Sequence, residues 1–494
     1  MSETKSLDAL VARLPRVAPF NASRDKPALL TPARALFEGT FPKPPEPPPA
    51  ATAADADASD VPLPPLDLGR KKKKPPKEGP FIVRAGDGAA EPEEAMRAEI
   101  VAACADTTGM LARHRAERPM RELASNEGQL LTQIDALAIS GGECVRSLVL
   151  WWRDNTDDPW KAWATVFALA SLDGIDVLQA IAREIELLEP DATEYVAPIA
   201  EALLVAPHPH VPDLARDLLA SEHPLARAIA IDVLGRRGAL AVEQLRPHLE
   251  DPHLAVVAAA VRAHASVPPA IGVPILFKFL AHKDTSVAWP AARQLLMWGR
   301  PEPYFEVRAG RCESLDQWAL EVLVCAGNSS DLELFERILA RAPASAAQIS
   351  ALARFGAPSA WAFLLHHLAN EELEEAAVRA LTTIFGERVP VPERKKPAAW
   401  RSAIAQAKLN PNVRYRHGEP WRPRAVAVEM NRGNFPRAEM RVRLDELTVR
   451  TGMRPVVDLA QWAPETWSGI KLAAEVFEKA DPTYPPGTWT TRAR

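Results

Sequence analysis

Three short stretches concentrate the side chains that metal or acid–base chemistry requires. APHPHVPD (206–213) offers His208 and His210, LLHHLANE (364–371) offers His366, His367 and Glu371, and RYRHGEPW (414–421) offers Arg416, His417, Glu419 and Trp421. A metal site needs such ligands to converge on one point. Prolines alternate with the first histidine pair, as in a loop between helices. Adjacent residues on a helix point about 100° apart, so His366 and His367 cannot face one ion. The run Glu371, Glu372, Glu374 and Glu375 reads as a solvated helix start that the helix dipole favours. His264 interrupts a column of apolar residues, and the expectation there is a core imidazole bonded to a carbonyl. The sequence contains no G-x-S-x-G, G-x-x-x-x-G-K-[ST] or G-x-G-x-x-G motif. Cys104, Cys144, Cys312 and Cys325 form no CxxC, which suits a reducing compartment and argues against a disulfide framework or a structural zinc. No catalytic residue, metal or cofactor is therefore expected.

The elements that would position any site repeat along the chain. Trp163, Tyr195, Ala226, Val256, Val287, Trp318, Ala347 and Ala377 recur at steps of about 31 residues. Four residues on lie Phe167, Ile199, Ala230, Ala260, Ala291, Val322, Ala351 and Leu381, all apolar. Nine residues on lie Leu172, Leu204, Gly235, Ala265, Leu296, Gly327, Gly356 and Gly386. This spacing draws one stripe down a helix and closes it with a small or apolar residue. A second apolar pattern follows each first helix, with Leu219, Leu249, Leu280, Leu339 and Leu368 on the same beat. The expected fold is all-α: about eight two-helix units over 156–390, after a helical segment at 93–155.

HPLARAIAIDVLG (223–235) and DPHLAVVAAAVRAHA (251–265) resemble the first helix of the short HEAT-like repeat. ELASNEGQLLTQIDALAISGGE (122–143) before the units and RYRHGEPW after them resemble stretches of a family of proteobacterial HEAT-repeat proteins, some encoded near type VI secretion genes. The resemblance covers roughly 95–450. It implies a helical-repeat solenoid and a secretion-related setting, and it implies no chemistry.

The flanks differ in composition. Residues 1–92 hold FPKPPEPPPAATAADADASDVPLPPLDLGRKKKKPPKEGP, with little to bury, and are expected to be a disordered Pro-rich tail. Within it LDALVARLPRVAPF (7–20) reads as a short amphipathic helix or a docking motif. Residues 91–390 carry 26 Lys/Arg against 42 Asp/Glu, whereas 391–494 carry 19 against 11. A basic, mainly helical C-terminal module thus follows an acidic body. Three roles stand open for it: capping the array, since terminal repeats need a polar cover; binding a protein; and gripping nucleic acid through arginines and tryptophans. The acidic body argues against the last. With no apolar run near the ~18 residues a membrane helix needs, the expectation is a cytoplasmic, monomeric, non-enzymatic scaffold for a protein partner. Its candidate contact residues, taken as exposed, are Trp289, Trp298, Tyr304, Arg416, His417, Glu419 and Trp421. A ligand-binding or lyase-like protein using the concave groove is the alternative.

Overall fold

The computed structural model describes residues 92–139, 143–310, 316–341, 343–455 and 457–480. Residues 1–91 of the tail expected over 1–92, including LDALVARLPRVAPF, and Cys312 lie outside the described residues, and Pro92 begins the first helix. The described chain is all-α apart from one two-residue hairpin. Helices α1 (Pro92–Glu117), α2 (Leu123–Ile139) and α3 (Glu143–Arg153) form an opening layer.

The apolar stripes then become buried helices. The first helices are α4 (Pro159–Leu169), α6 (Val196–Val205), α8 (Pro224–Arg236), α10 (Leu254–Ala263), α12 (Thr285–Met297), α14 (Asp316–Ala326), α16 (Ala346–Phe355) and α18 (Glu374–Phe385). Each packs on the next in that order. Between them run α5 (Ile175–Glu186) and the shorter α7 (Val211–Leu219), α9 (Val242–Leu245), α11 (Pro269–Phe277), α13 (Glu302–Arg308), α15 (Leu332–Leu339) and α17 (Trp361–His367). Turn chemistry starts several of them. Asp158 accepts from the Trp160 amide ahead of Pro159, and Asp284 accepts from the Ser286 amide.

Every residue at the second position of the stripe is buried, from Phe167 to Leu381. Fully burying a Val, Leu, Ile or Phe side chain contributes about 1.5–3 kcal/mol, which applies to Phe167, Ile199, Val322 and Leu381, while the alanines of the column contribute less. Ala347, expected to be buried at the first position, is exposed, because Ser345 caps α16 and leaves Ala347 in the first turn. Ala265 is exposed as well, since the chain leaves α10 through a 3-10 turn. Two apolar clusters share α10: Val256, Ala259 and Ala263 belong to one, and Val257, Ala258 and Val261 to the other.

The C-terminal module comprises α19 (Pro397–Ala407), α20 (Pro423–Arg432), α21 (Arg437–Thr451) and α22 (Ala463–Glu478). It does not merely cover the last unit. Helix α21 packs against α12, α14 and α1, and α22 packs against α2. Met120 and Leu123 from the opening layer share a core with Val426, Met430, Met440, Leu447 and Phe477. The module thus joins both ends of the stack.

His264 is fully buried, with Nδ1 2.7 Å from the Ala260 carbonyl and Nε2 unpartnered. Burial holds its pKa below the usual imidazole value. Below about pH 6.5 the unfolded chain therefore binds more protons than the folded one, and stability falls as pH falls. His264→Leu removes that penalty and the unpaired nitrogen. Its melting temperature should equal or exceed that of the parent at pH 7.5, with a margin that widens at pH 5.5. A margin that shrinks on acidification would refute this account.

Candidate functional site

RYRHGEPW forms the hairpin, with β1 (Tyr415–Arg416) antiparallel to β2 (Glu419–Pro420). His417 and Gly418 make its turn, both at positive φ (53° and 79°), as two-residue hairpins favour. The hairpin backbone satisfies the free ends of two helices. Tyr415 donates its amide to the Gly356 carbonyl at 2.7 Å, and His417 and Gly418 donate to Thr383 and Ile384 at 2.6 and 2.9 Å. Carbonyls in a helix's last turn have no partner within the helix. Gly356 and Gly386 make the approach possible. Both sit at positive φ, and a Cβ at Gly386 would lie 2.8 Å from the His417 carbonyl oxygen.

Arginines continue the pattern. Arg414 donates to the carbonyls of Phe355, Gly327 and Val324 at 2.6, 2.9 and 3.0 Å, and its guanidinium lies 4.8 Å from the Phe355 ring centroid. Arg450 donates to Gly327 and Val324 at 2.7 and 3.2 Å and lies over Trp421. These are the C-terminal carbonyls of α14 and α16, the negative ends of two helix dipoles. Burial, and next the neighbouring Arg450, pull Arg414 down to about 9. Burial pulls Arg450 down to about 10. Both remain cationic at neutral pH.

Two buried carboxylates complete the junction. Glu446 accepts from Arg416 at 2.7 Å and from the Trp421 indole at 2.8 Å. Glu429 accepts from Arg443 at 3.0 Å and lies 2.6 Å from His417 Nε2 and 3.2 Å from Arg416 Nε. Burial disfavours the Glu429 carboxylate, but Arg416, His417 and Arg443 hold it well below the usual range. Burial, and next Glu446, push the Cys325 thiol well above its ordinary value, which leaves it a poor nucleophile.

From this junction the module crosses the C-terminal halves of the earlier first helices. Arg293 of α12 grips Asp445 at 2.5 and 2.6 Å, and Arg236 of α8 meets Asp458 at 3.3 Å. Trp462 stacks edge-on against Phe167 of α4 at 5.6 Å. Arg115 of α1 binds Glu127 at 2.9 Å, Glu201 of α6, and the carbonyls of Ala460 and Gln461. Arg437 joins Glu127 at 2.7 Å. The module is a strap laid along one edge of the stack.

The sequence-derived contact residues divide accordingly. Arg416, His417, Glu419 and Trp421 come together in the hairpin, whereas Trp289, Trp298 and Tyr304 lie on α12 and α13 or between them. Two corrections follow. Arg416 and Tyr304 are fully buried rather than exposed: Arg416 is enclosed by carboxylates, and the Tyr304 hydroxyl donates to Asp331 at 2.8 Å. Trp289 and Trp298 are half-buried packing residues, and the Trp298 ring lies against Gly272 of α11. His417 and Trp421 are half-buried, and only Glu419 is exposed. His208 is buried, and His366 and His367 lie edge to face. Among the described residues, no group of three His, Cys, Asp or Glu side chains is placed to hold a metal ion. Sequence reading passed over Arg115, Glu127, Arg437 and Arg443, although charged residues on otherwise apolar faces of α2 and α21 were a visible signal.

No family model and no curated protein matches the chain. Among solved structures, a crystal structure of an engineered protein from the Northeast Structural Genomics Consortium aligns over 77% of this chain and 97% of that chain, at 17% identity and a TM-score of 0.22. A score that low carries no inference about fold or function.

Glu446→Gln leaves buried guanidinium charge without its counter-charge, a change that costs about 3–5 kcal/mol when one partner of a buried ion pair is removed. The chemical-denaturation midpoint should fall accordingly, while Glu419→Gln at the exposed hairpin edge should shift stability by less than about 0.5 kcal/mol. Equal effects would show that the junction does not carry the load assigned to it. For Glu429, whose folded pKa is depressed, stability is present above about pH 4.3 and lost as pH falls further. The deficit of Glu429→Gln against the parent should therefore be full at pH 7 and shrink in acid.

Proposed function

We propose that the protein is a HEAT-like helical-repeat scaffold of about eight units, held closed by its C-terminal strap, that presents the outward faces of its second helices to a protein partner. The observation that carries this reading is a set of exposed apolar side chains on those helices: Ile271 and Phe277 of α11, Phe305 of α13 and Trp361 of α17, each between 37% and 51% exposed. Exposed aromatic side chains supply the anchors that dominate the energetics of protein interfaces. Serial packing of the first helices supports the repeat reading, because it leaves each second helix one free face.

A nucleic-acid role has less support. Of the four arginines that would neutralise phosphates, Arg414 and Arg416 are buried against carbonyls and carboxylates, and Arg422 and Arg424 are exposed. No helix among the described residues is long and apolar enough to cross a membrane. The resemblance to proteobacterial HEAT-repeat proteins carries a bacterial secretion complex as the proposed setting. A ligand-binding reading has one observation of its own, a hollow of about 200 Å³ lined by Trp152, Arg153, Thr156, Glu184, Leu187 and Leu188. Arg153 and Glu184 already bind each other there at 2.7 and 2.8 Å, which leaves the scaffold reading ahead.

The test is affinity capture from native extract with the full chain and with the triple variant Phe277→Ser, Phe305→Ser, Trp361→Ser. A partner recovered stoichiometrically by the parent should weaken about 30-fold or more, since hot-spot aromatics contribute about 2 kcal/mol or more apiece. The circular dichroism of the variant should match the parent. Undiminished capture by a folded variant would refute the assignment of these faces. Deletion of 391–494 should give insoluble or unfolded protein rather than a trimmed scaffold, because both ends of the stack lose core partners.

A further inference from the structure

Helix α1 carries an apolar stripe that nothing in the described structure covers. Met96, Ile100 and Met110 are 63%, 44% and 51% exposed, and Ala103 between them is exposed too. Their spacing of i, i+4, i+7 and i+14 keeps all four on one face. The start of the helix overhangs the body: residues 95–100 are exposed at every position. An exposed helix end is marginal in water, and burying its apolar stripe would stabilise it.

The chain supplies one. Residues 1–91 join α1 at its overhanging end, and they include Leu7, Leu10, Val11 and Leu14 at i, i+3, i+4 and i+7, ahead of Pro15. We propose that segment 7–20 docks on the Met96–Ile100–Met110 face of α1. Three physical considerations support that occupant over others. The two stripes have matching periods, and each is too narrow to bury itself. The charges favour it modestly, since Arg13 and Arg16 outnumber Asp8 in the segment, while Glu99 and Asp106 are exposed at one edge of the stripe, Asp106 also lying 3.4 Å from Lys161. Finally, the tether is adequate. About 70 residues connect the segment to α1, and at about 3 Å or more per extended residue they reach far beyond the roughly 21 Å from Met96 to Met110 along the helix. Such a tether raises the concentration of the segment at α1 above that of a free peptide. The proposal stands independently of the scaffold reading, which concerns the faces of α11, α13 and α17.

Hydrogen exchange on the full chain tests it, with the double variant Leu10→Asp, Leu14→Asp as comparison. The amides of 95–110 should exchange about tenfold faster in the variant, because fraying of an uncovered helix end is no longer opposed. Amides of α8 and α14 should be unchanged, which shows that the body is intact. Adding the peptide 5–20 in trans at millimolar concentration should restore protection to the variant, and Arg13→Glu with Arg16→Glu should mimic the leucine changes in part. Identical exchange of 95–110 in parent and variant would overturn the proposal. Protection that rises with protein concentration, with light scattering reporting a dimer, would overturn it in favour of a second copy on the same face.

Discussion

The structure depends on guanidinium groups that dock onto the C-terminal ends of stacked helices. Stacking the first helices side by side aligns their dipoles, so their negative ends lie along one edge. Each end brings carbonyls that no intrahelical amide can satisfy. Arg414 and Arg450 answer those of α14 and α16 from above, while the hairpin amides answer those of α16 and α18. The acidic body and the basic C-terminal module therefore complement one another within a single molecule.

The charge balance at the junction shows why helix ends are needed as well as carboxylates. Arg354, Arg414, Arg416, Arg443 and Arg450 are buried, whereas the buried carboxylates facing them are Glu321, Glu429 and Glu446. Partly exposed Glu439 adds a carboxylate 3.3 Å from Arg443, and guanidinium still exceeds carboxylate there, which is costly in a low-dielectric interior. Arg414 and Arg450 lie on the ends of α14 and α16, each of which offers about half a negative charge together with oriented carbonyls. Phe355 and Trp421 add ring faces beneath the same guanidiniums. Burial still pulls both arginines down, which reports that the compensation is partial.

The helical character and the stripes were legible because they are local: a period of 3.6 residues within units of about 31 puts the same residue types on the same faces. Two features lay beyond the reading for a physical reason that sequence spacing does not contain. Gly356 and Gly386 stood out as closing residues and do end their helices, but they also admit the hairpin, which comes from about 30 to 60 residues away. Arg416 looked like an exposed binding residue because an arginine in a short polar stretch usually is one. What buries it is Glu446 on α21 and Glu429 on α20, and no periodicity links those positions. Arg437 and Glu127 are separated by 310 residues and meet only because the strap returns to the opening layer.

That return changes how the stack can move. An open helical stack bends at each interface between neighbouring units, because each unit contacts only the next. Here the strap bonds to α1, α8, α12, α14, α16 and α18 in turn, so that bending any interface along that edge stretches an ion pair or pulls a guanidinium off its carbonyls. Deformation is thereby left to elements outside that set of bonds, among them α9 with a single turn. The faces proposed to bind a partner belong to α11, α13 and α17 rather than to the clamped ends of the first helices. A partner that gripped several second helices at once would do so while the clamped edge kept the units in register.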